Sequence, residues 1–299
     1  MKTGLKIILL LLTGVAAFSF SFRGTTDGPD LPPATSLLWK IEGNGLKEPS
    51  YLFGTMHMIQ KEYFYFPPSL EKIIKKSDVV VTEIALDQMG DQDEALKHIY
   101  LKEGNLFDFF SPEQEDTILR WAETRLMLKK DPFLATFGKM KPFVILQTLV
   151  QLHFFGKTES YEMKIKEVAE KNKIPFLGFE SVAEQISFFD QLTRDEQAEM
   201  VMESIRDEQK NIGLLITMQG IYRRQQLDSL HGMIQGESVV SKHESAFLDQ
   251  RNQKWIPRIN EIIQKQRAFI AVGAGHLSGE KGVIRLLQEE GYTVTPIAF

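Results

Sequence analysis

From Ser36 to Phe299 the apolar residues fall into two kinds of run. Short stretches rich in β-branched and aromatic residues, Ser36–Ile41, Ser50–Phe53, Asp78–Ile84, Ile174–Phe179, Ala268–Val272 and Tyr292–Ile297, read as strands. The first two are joined by Glu42-Gly43-Asn44-Gly45-Leu46-Lys47-Glu48-Pro49, whose turn chemistry predicts a hairpin. Longer stretches carry a helical period: Ser69–Lys76, a helix from the cap Ser111-Pro112-Glu113-Gln114 through Lys129, Lys141–Phe154, Tyr161–Asn172, Ser181–Leu192, Thr193–Asn211, Leu214–Gln225, Leu248–Lys265 with a kink at Pro257, and Glu280–Glu290. Strands therefore sit at both ends of the chain, with mostly helix between them. That order predicts one α/β domain over 36–299, a mixed sheet completed by the carboxyl terminus and interrupted by a large helical insertion.

Ahead of this domain, Lys2 and Lys6 precede and border an apolar run, Ile7–Leu12, followed by Gly14-Val15-Ala16-Ala17. This is the pattern of an export signal over residues 1–22; Val15 and Ala17 fit a cleavage site after Ala17, with Ser19 and Ser21 as nearby alternatives. The alternative is an uncleaved membrane anchor, since the apolar stretch continues through Phe22. Residues 23–35, rich in Gly, Thr, Pro and Asp, read as a flexible tether. The protein is expected outside the cytoplasm.

At 299 residues and 43% hydrophobic content the chain has ample material for a core. Its 40 acidic and 35 basic side chains leave a net charge of −5, and no Lys/Arg stripe with interleaved aromatics tracks a phosphate backbone, so nucleic acid is not an expected partner. Cysteine is absent, which excludes disulfides, thiol catalysis and thiolate ligands. Any metal must be held by histidine and carboxylate.

Two Gly-x-x-His segments, Gly54-Thr55-Met56-His57 and Gly273-Ala274-Gly275-His276, each follow a predicted strand directly. In open α/β sheets the carboxyl edge is where ligands bind. Glu83, after three valines, and Glu180, after Leu177-Gly178-Phe179, share that topological position. Two imidazoles with one or two carboxylates suit Zn²⁺, Mn²⁺, Co²⁺ or Fe²⁺ and point to hydrolysis by metal-activated water. Each residue also has an ordinary structural explanation. A histidine beside a strand is often only hydrogen-bonded, Glu83 can stand at a solvent edge, and Glu180 can be a helix-start carboxylate favoured by the dipole. Arg251, four residues before Trp255, is either an oxyanion stabiliser or a surface arginine whose stem covers apolar neighbours. His98, His153, His231 and His243 read as surface or packing residues, and Phe64-Tyr65-Phe66-Pro67-Pro68 as either a groove lining or a loop packed on the core.

Leu38-Trp39-Lys40-Ile41, Tyr51-Leu52-Phe53-Gly54-Thr55-Met56-His57, Val80-Val81-Thr82-Glu83, Leu177-Gly178-Phe179-Glu180-Ser181 with Glu184-Gln185, Arg251-Asn252 and Val272-Gly273-Ala274-Gly275-His276-Leu277 together resemble the TraB/GumN family, related to the Tiki metalloproteases. The resemblance implies a fold of the erythromycin-esterase and ChaN-like type, a divalent-metal site of His57, Glu83 and His276, and an arginine, Arg251, near it. It also implies peptidase chemistry using Mn²⁺ or Co²⁺. Ser160-Tyr161-Glu162 replaces a Gly-hydrophobic-Asp of many bacterial relatives, and Tyr222-Arg223-Arg224-Gln225-Gln226-Leu227 lacks their acidic residue. The expected protein is an exported metal-dependent hydrolase acting on a peptide or other small substrate, with Glu83, Glu180 and Arg251 as catalytic candidates. A non-catalytic extracytoplasmic binder of the same fold is the alternative.

Overall fold

The computed structural model describes residues 36–84, 97–234, 243 and 245–299; the expected export segment and tether lie outside them. Six strands form one mixed sheet, β1 (Leu38–Gly43), β2 (Ser50–Thr55), β4 (Val79–Ile84), β6 (Phe176–Glu180), β7 (Ala268–Gly273) and β8 (Tyr292–Ile297), and the two-residue strands β3 (Ile59–Gln60) and β5 (Thr158–Glu159) pair separately. The order of the six is β6-β4-β7-β2-β1-β8. β6, β4, β7 and β2 run parallel, while β1 is antiparallel to both β2 and β8. The β1–β2 hairpin is as expected, turning at Asn44 with a positive φ. The closing β-α-β unit is also present, with β7 and β8 separated in the sheet by β2 and β1.

Every residue of β4 is buried, as are the five apolar residues of β7. Strands without an exposed face need cover on both sides. That cover comes from the apolar faces of α1 (Pro68–Lys76), α5 (Tyr161–Lys171), α10 (Gln250–Lys265) and α11 (Val283–Glu289), whose Leu70, Ile74, Ile165, Val168, Ile259, Ile263, Val283 and Leu287 join the sheet core. Pro257 lies within α10. The loop Phe64-Tyr65-Phe66 packs on this core: Phe64 and Phe66 meet the Tyr161 ring, and Tyr161 Oη donates to the Tyr65 carbonyl. Phe64 and Phe66 are thus partly buried against the core, while Tyr65 is exposed.

A second core gathers the helical insertion: α2 (Pro112–Leu126), α3 (Lys130–Phe137), α4 (Phe143–Phe154), α6 (Val182–Asp190), α7 (Arg194–Arg206) and part of α8 (Glu208–Arg223). The helix expected over Thr193–Asn211 ends at Arg206, and α8 starts after Asp207, whose φ of −104° and ψ of 24° leave the helical region. A final helix, α9 (Leu227–Ile234), returns to the sheet core. Ile84, at the end of β4, belongs to the helical core, whereas Val79, Val80 and Val81 of the same strand belong to the sheet core. Glu83 thus stands at the seam between two apolar bodies. Among the described residues no helix is long and apolar enough to cross a membrane.

Candidate functional site

The four strand-end residues converge on the carboxyl edge of four adjacent parallel strands. Glu180 ends β6, Glu83 is the penultimate residue of β4, His276 follows β7 in a short 3₁₀ turn (Ala274–His276), and His57 lies two residues past β2. His57 Nε2 is 3.6 Å, and His276 Nε2 3.7 Å, from the same oxygen, Glu83 Oε1.

Glycine makes this approach possible. A Cβ at Gly54 would stand 2.7 Å from Leu277 Cδ1 and 3.1 Å from Ala274 Cα, so the first Gly-x-x-His segment packs directly on the second. Tyr222 of α8 donates its hydroxyl to the Gly54 carbonyl at 2.8 Å, pinning the same segment from the other side. A Cβ at Gly273 would lie 3.1 Å from Glu83 Oε1, 3.4 Å from His57 Nε2 and 3.6 Å from His276 Cδ2. The space between the three candidate ligands is therefore the space a side chain at 273 would occupy.

Glu83 is held at both oxygens. Oε1 accepts the Gly273 N–H at 2.7 Å; Oε2 accepts Gln185 Nε2 at 2.9 Å and Arg251 Nη2 at 2.5 Å. Burial alone would raise its pKa, but the Arg251 charge, the two imidazoles and the Gly273 N–H together hold it well below the ordinary carboxylate range. An ionised carboxylate 4% exposed is sustained only by such partners. The β4 valines thus end in a buried charge, not in a solvent edge.

Arg251 projects from the first turn of α10 and is also buried. Its Nε donates to both Glu180 oxygens at 3.0 Å, Nη1 to the Phe247 carbonyl at 3.1 Å and to His276 Nε2 at 3.1 Å, and Nη2 reaches Glu83 Oε2 and, at 2.9 Å, Glu180 Oε2. Every N–H of the guanidinium is engaged. Its ζ-carbon sits 4.9 Å from the Trp255 ring centroid, so it does cover Trp255, but from inside the protein. Glu180 accepts a further bond from Trp255 Nε1 at 3.0 Å. The helix-start reading of Glu180 is not needed, because Ser181 and Glu184 already form the capping box of α6. Burial raises the Glu180 pKa, and Arg251 offsets only part of that.

The histidines are oriented by different partners. Asn252 Nδ2 donates to the carbonyls of His276 and Lys281, which assigns its Oδ1 as the acceptor facing His276 Nδ1 at 2.7 Å. Nδ1 of His276 then carries the proton and Nε2 presents a lone pair. Burial pushes the His276 pKa down to about 3, keeping the ring neutral, and the ring lies against Trp255 with centroids 4.5 Å apart. His57 Nδ1 lies 2.7 Å from Glu162 Oε1. Burial alone would lower the His57 pKa, but Glu162 and Glu83 raise it. At 13% and 11% side-chain exposure His57 and Glu162 form the more open flank of a cluster whose other members stand at 5–9%.

Two neutral-capable imidazole nitrogens and a carboxylate oxygen make a donor set suited to a borderline or hard divalent ion. Ligands about 2.0–2.2 Å from a tetrahedral ion stand roughly 3.3–3.6 Å apart, close to the spacing found around Glu83 Oε1. One contact works against it: Arg251 Nη1 already engages the His276 lone pair. Among the described residues no group of three or more His, Asp or Glu side chains is poised as it stands to hold a metal ion.

Sequence reasoning singled out His57, Glu83, Glu180, Arg251 and His276, and the fold gathers all five. It did not single out Glu162, Gln185, Asn252 or Trp255 as site residues, although each contacts one of the five. His98, His153, His231 and His243 stand on other elements; His243, for example, pairs with Glu196 at 2.7 Å. The model of the TraB/PrgY/gumN family matches residues 37–296. No curated protein and no solved structure matches the chain.

Proposed function

The chain belongs to the TraB/PrgY/gumN family, and from its charged seam we propose an exported divalent-metal-dependent hydrolase with peptidase chemistry, acting on a peptide or other small substrate. The observation that carries the proposal is the approach of two histidine Nε2 atoms to one oxygen of a buried, ionised carboxylate, around the face of Gly273 that lacks a side chain. His57, His276 and Glu83 would hold the ion, whether Mn²⁺, Co²⁺, Zn²⁺ or Fe²⁺. Such an ion supplies a water nucleophile near neutral pH and polarises a scissile carbonyl.

The protein's own residues divide the remaining work. Glu83, kept ionised by Arg251, suits the ligand role. Glu180, with its pKa raised, suits proton transfer, since carboxylates whose pKa values are pushed apart take different parts in acid–base chemistry. Arg251 fixes both carboxylates. The Nη1–H now on His276 Nε2 is the donor that would meet a developing oxyanion once that nitrogen turns to an ion. Export is proposed on the apolar segment at 7–22 and its small-residue cleavage pattern.

Metal analysis tests the proposal. Purified wild-type protein, incubated with Mn²⁺, Co²⁺, Fe²⁺ or Zn²⁺ and desalted, is expected to retain about one equivalent, and His57→Ala and His276→Ala to lose it while remaining folded by circular dichroism. Equal metal in all three proteins would overturn the catalytic reading and leave the ligand-binding alternative.

A further inference from the structure

Glu162 belongs to none of the strands whose ends carry His57, Glu83, Glu180 and His276. It is the second residue of α5, after the N-cap Ser160, whose Oγ accepts the Met163 N–H. Helix starts commonly carry a carboxylate turned toward solvent, where it favours the dipole. Glu162 does not behave that way. It is 9% exposed, and its two oxygens have separate partners: Oε2 accepts the Ser160 hydroxyl at 2.9 Å, and Oε1 faces His57 Nδ1 at 2.7 Å. A local device fixes this meeting. The two-residue strands β3 (Ile59–Gln60) and β5 (Thr158–Glu159) pair with Ile59 opposite Glu159 and Gln60 opposite Thr158. His57 stands two residues before that ribbon and Glu162 three after it, so the ribbon brings the segment leaving β2 to the start of α5.

An imidazole has two nitrogens, and which one is protonated is set by the bond the other makes. A carboxylate can only accept, so Glu162 Oε1, 2.7 Å from Nδ1 though off the line of a ring N–H, favours the proton on Nδ1, while Glu83 Oε1 at 3.6 Å lies beyond hydrogen-bond reach of Nε2. Asn252 performs the same office for His276 through a neutral amide. We infer that Glu162 is a positioning residue that fixes His57 as its Nδ1–H tautomer and aims Nε2 into the space beside Gly273. The inference deepens the metal-dependent reading but concerns a property of the protein that needs no ion to be observed.

The decisive experiment is therefore made without metal. Long-range ¹H–¹⁵N correlation spectra of the full-length protein, with the His57 signals assigned by their loss in His57→Ala, report which ring nitrogen carries the proton. The expected result is an Nδ1–H signature for His57 in the wild type and in an exposed control, Glu167→Gln, on the same helix. In Glu162→Ala the signature should shift toward an Nε2–H or mixed state with the fold retained. An unchanged tautomer in Glu162→Ala, or Nε2–H in the wild type, would overturn the inference.

Metal affinity, measured by titrating Mn²⁺ or Co²⁺, then separates this inference from the functional reading. Loss of an outer partner of a ligating histidine costs about 10–100-fold in affinity, and Glu162→Ala is expected in that range. A wild type that binds no metal but keeps the Nδ1–H tautomer would sink the hydrolase proposal and leave the role of Glu162 standing.

Discussion

Replacing Arg251 by methionine removes the one cation that, among the described residues, contacts both Glu83 and Glu180, and keeps an unbranched apolar stem in place of the arginine's own. In the wild type these carboxylates are 4% and 9% exposed, each bonded to the guanidinium. Breaking a buried ion pair from one side costs about 3–5 kcal/mol because a charge is left without its partner. Here the residual donors, Gly273 N–H and Gln185 for Glu83 and Trp255 for Glu180, persist, so the lower part of that range, about 3–4 kcal/mol at pH 7, is expected. For a domain of this size that corresponds to a fall of roughly 6–15 °C in Tm. The pH dependence supplies the sharper signature. The Glu83 pKa is depressed in the wild type, so its contribution to stability is present at neutral pH and is lost only as pH falls through a low folded-state value. Without Arg251, burial dominates, lifting the folded-state pKa of Glu83 above its unfolded value and pushing that of Glu180, already raised, further up. Their charged forms then oppose folding at pH 7, and the penalty fades as the pH falls through the raised values. Thermal unfolding followed by circular dichroism at pH 7 and pH 5 should therefore show a gap between wild type and Arg251→Met that narrows on acidification. A variant melting within 2 °C of wild type at pH 7, on the order of 1 kcal/mol or less, or a gap that widens at pH 5, would refute this account of the seam.

The two motif glycines should respond differently to alanine. Gly273→Ala places a methyl among Glu83, His57 and His276, so metal retention is expected to fall at least tenfold with only a modest change in Tm, read by metal analysis and calorimetry on one sample. Gly54→Ala instead drives a methyl into Leu277 and the Ala274 backbone; overpacking of this kind costs about 1–3 kcal/mol and should appear as a lower Tm. Trp255→Phe keeps the ring against His276 but withdraws the Nε1–H from Glu180, a loss of about 1–3 kcal/mol in chemical denaturation, and an unchanged midpoint would mean that Glu180 does not depend on that donor.

The sheet was largely legible because its interior strands are short apolar runs stopped by glycine or a carboxylate, and such runs have few other ways to bury themselves. Glu83 was legible for the same reason: a charge after three valines needs partners. The helical partners were not. Gln185, Asn252 and Trp255 lie on amphipathic helices whose periodicity tells which face is apolar but not which strand end that face will meet. Glu162 stood out only as the carboxylate of Ser160-Tyr161-Glu162, since an acidic residue in the first turn of a helix is otherwise ordinary, and the pairing of β3 with β5 is what turns it toward His57. The break at Asp207 was missed because the helical pattern continues on both sides of it and no glycine or proline marks the change.

Strand β7, which starts at residue 268, lies between β4 and β2, which end at residues 84 and 55, and β8 closes the sheet beside β1. A nascent polypeptide emerging amino end first must hold two unjoined groups of strands, with their edges open, until β7 arrives as the wedge between them. Contacts so distant along the sequence make for slow assembly, and any truncation before residue 268 removes the keystone together with one imidazole. The meeting of His57 and His276 thus waits for β7: no polypeptide that stops short of residue 276 can bring them together.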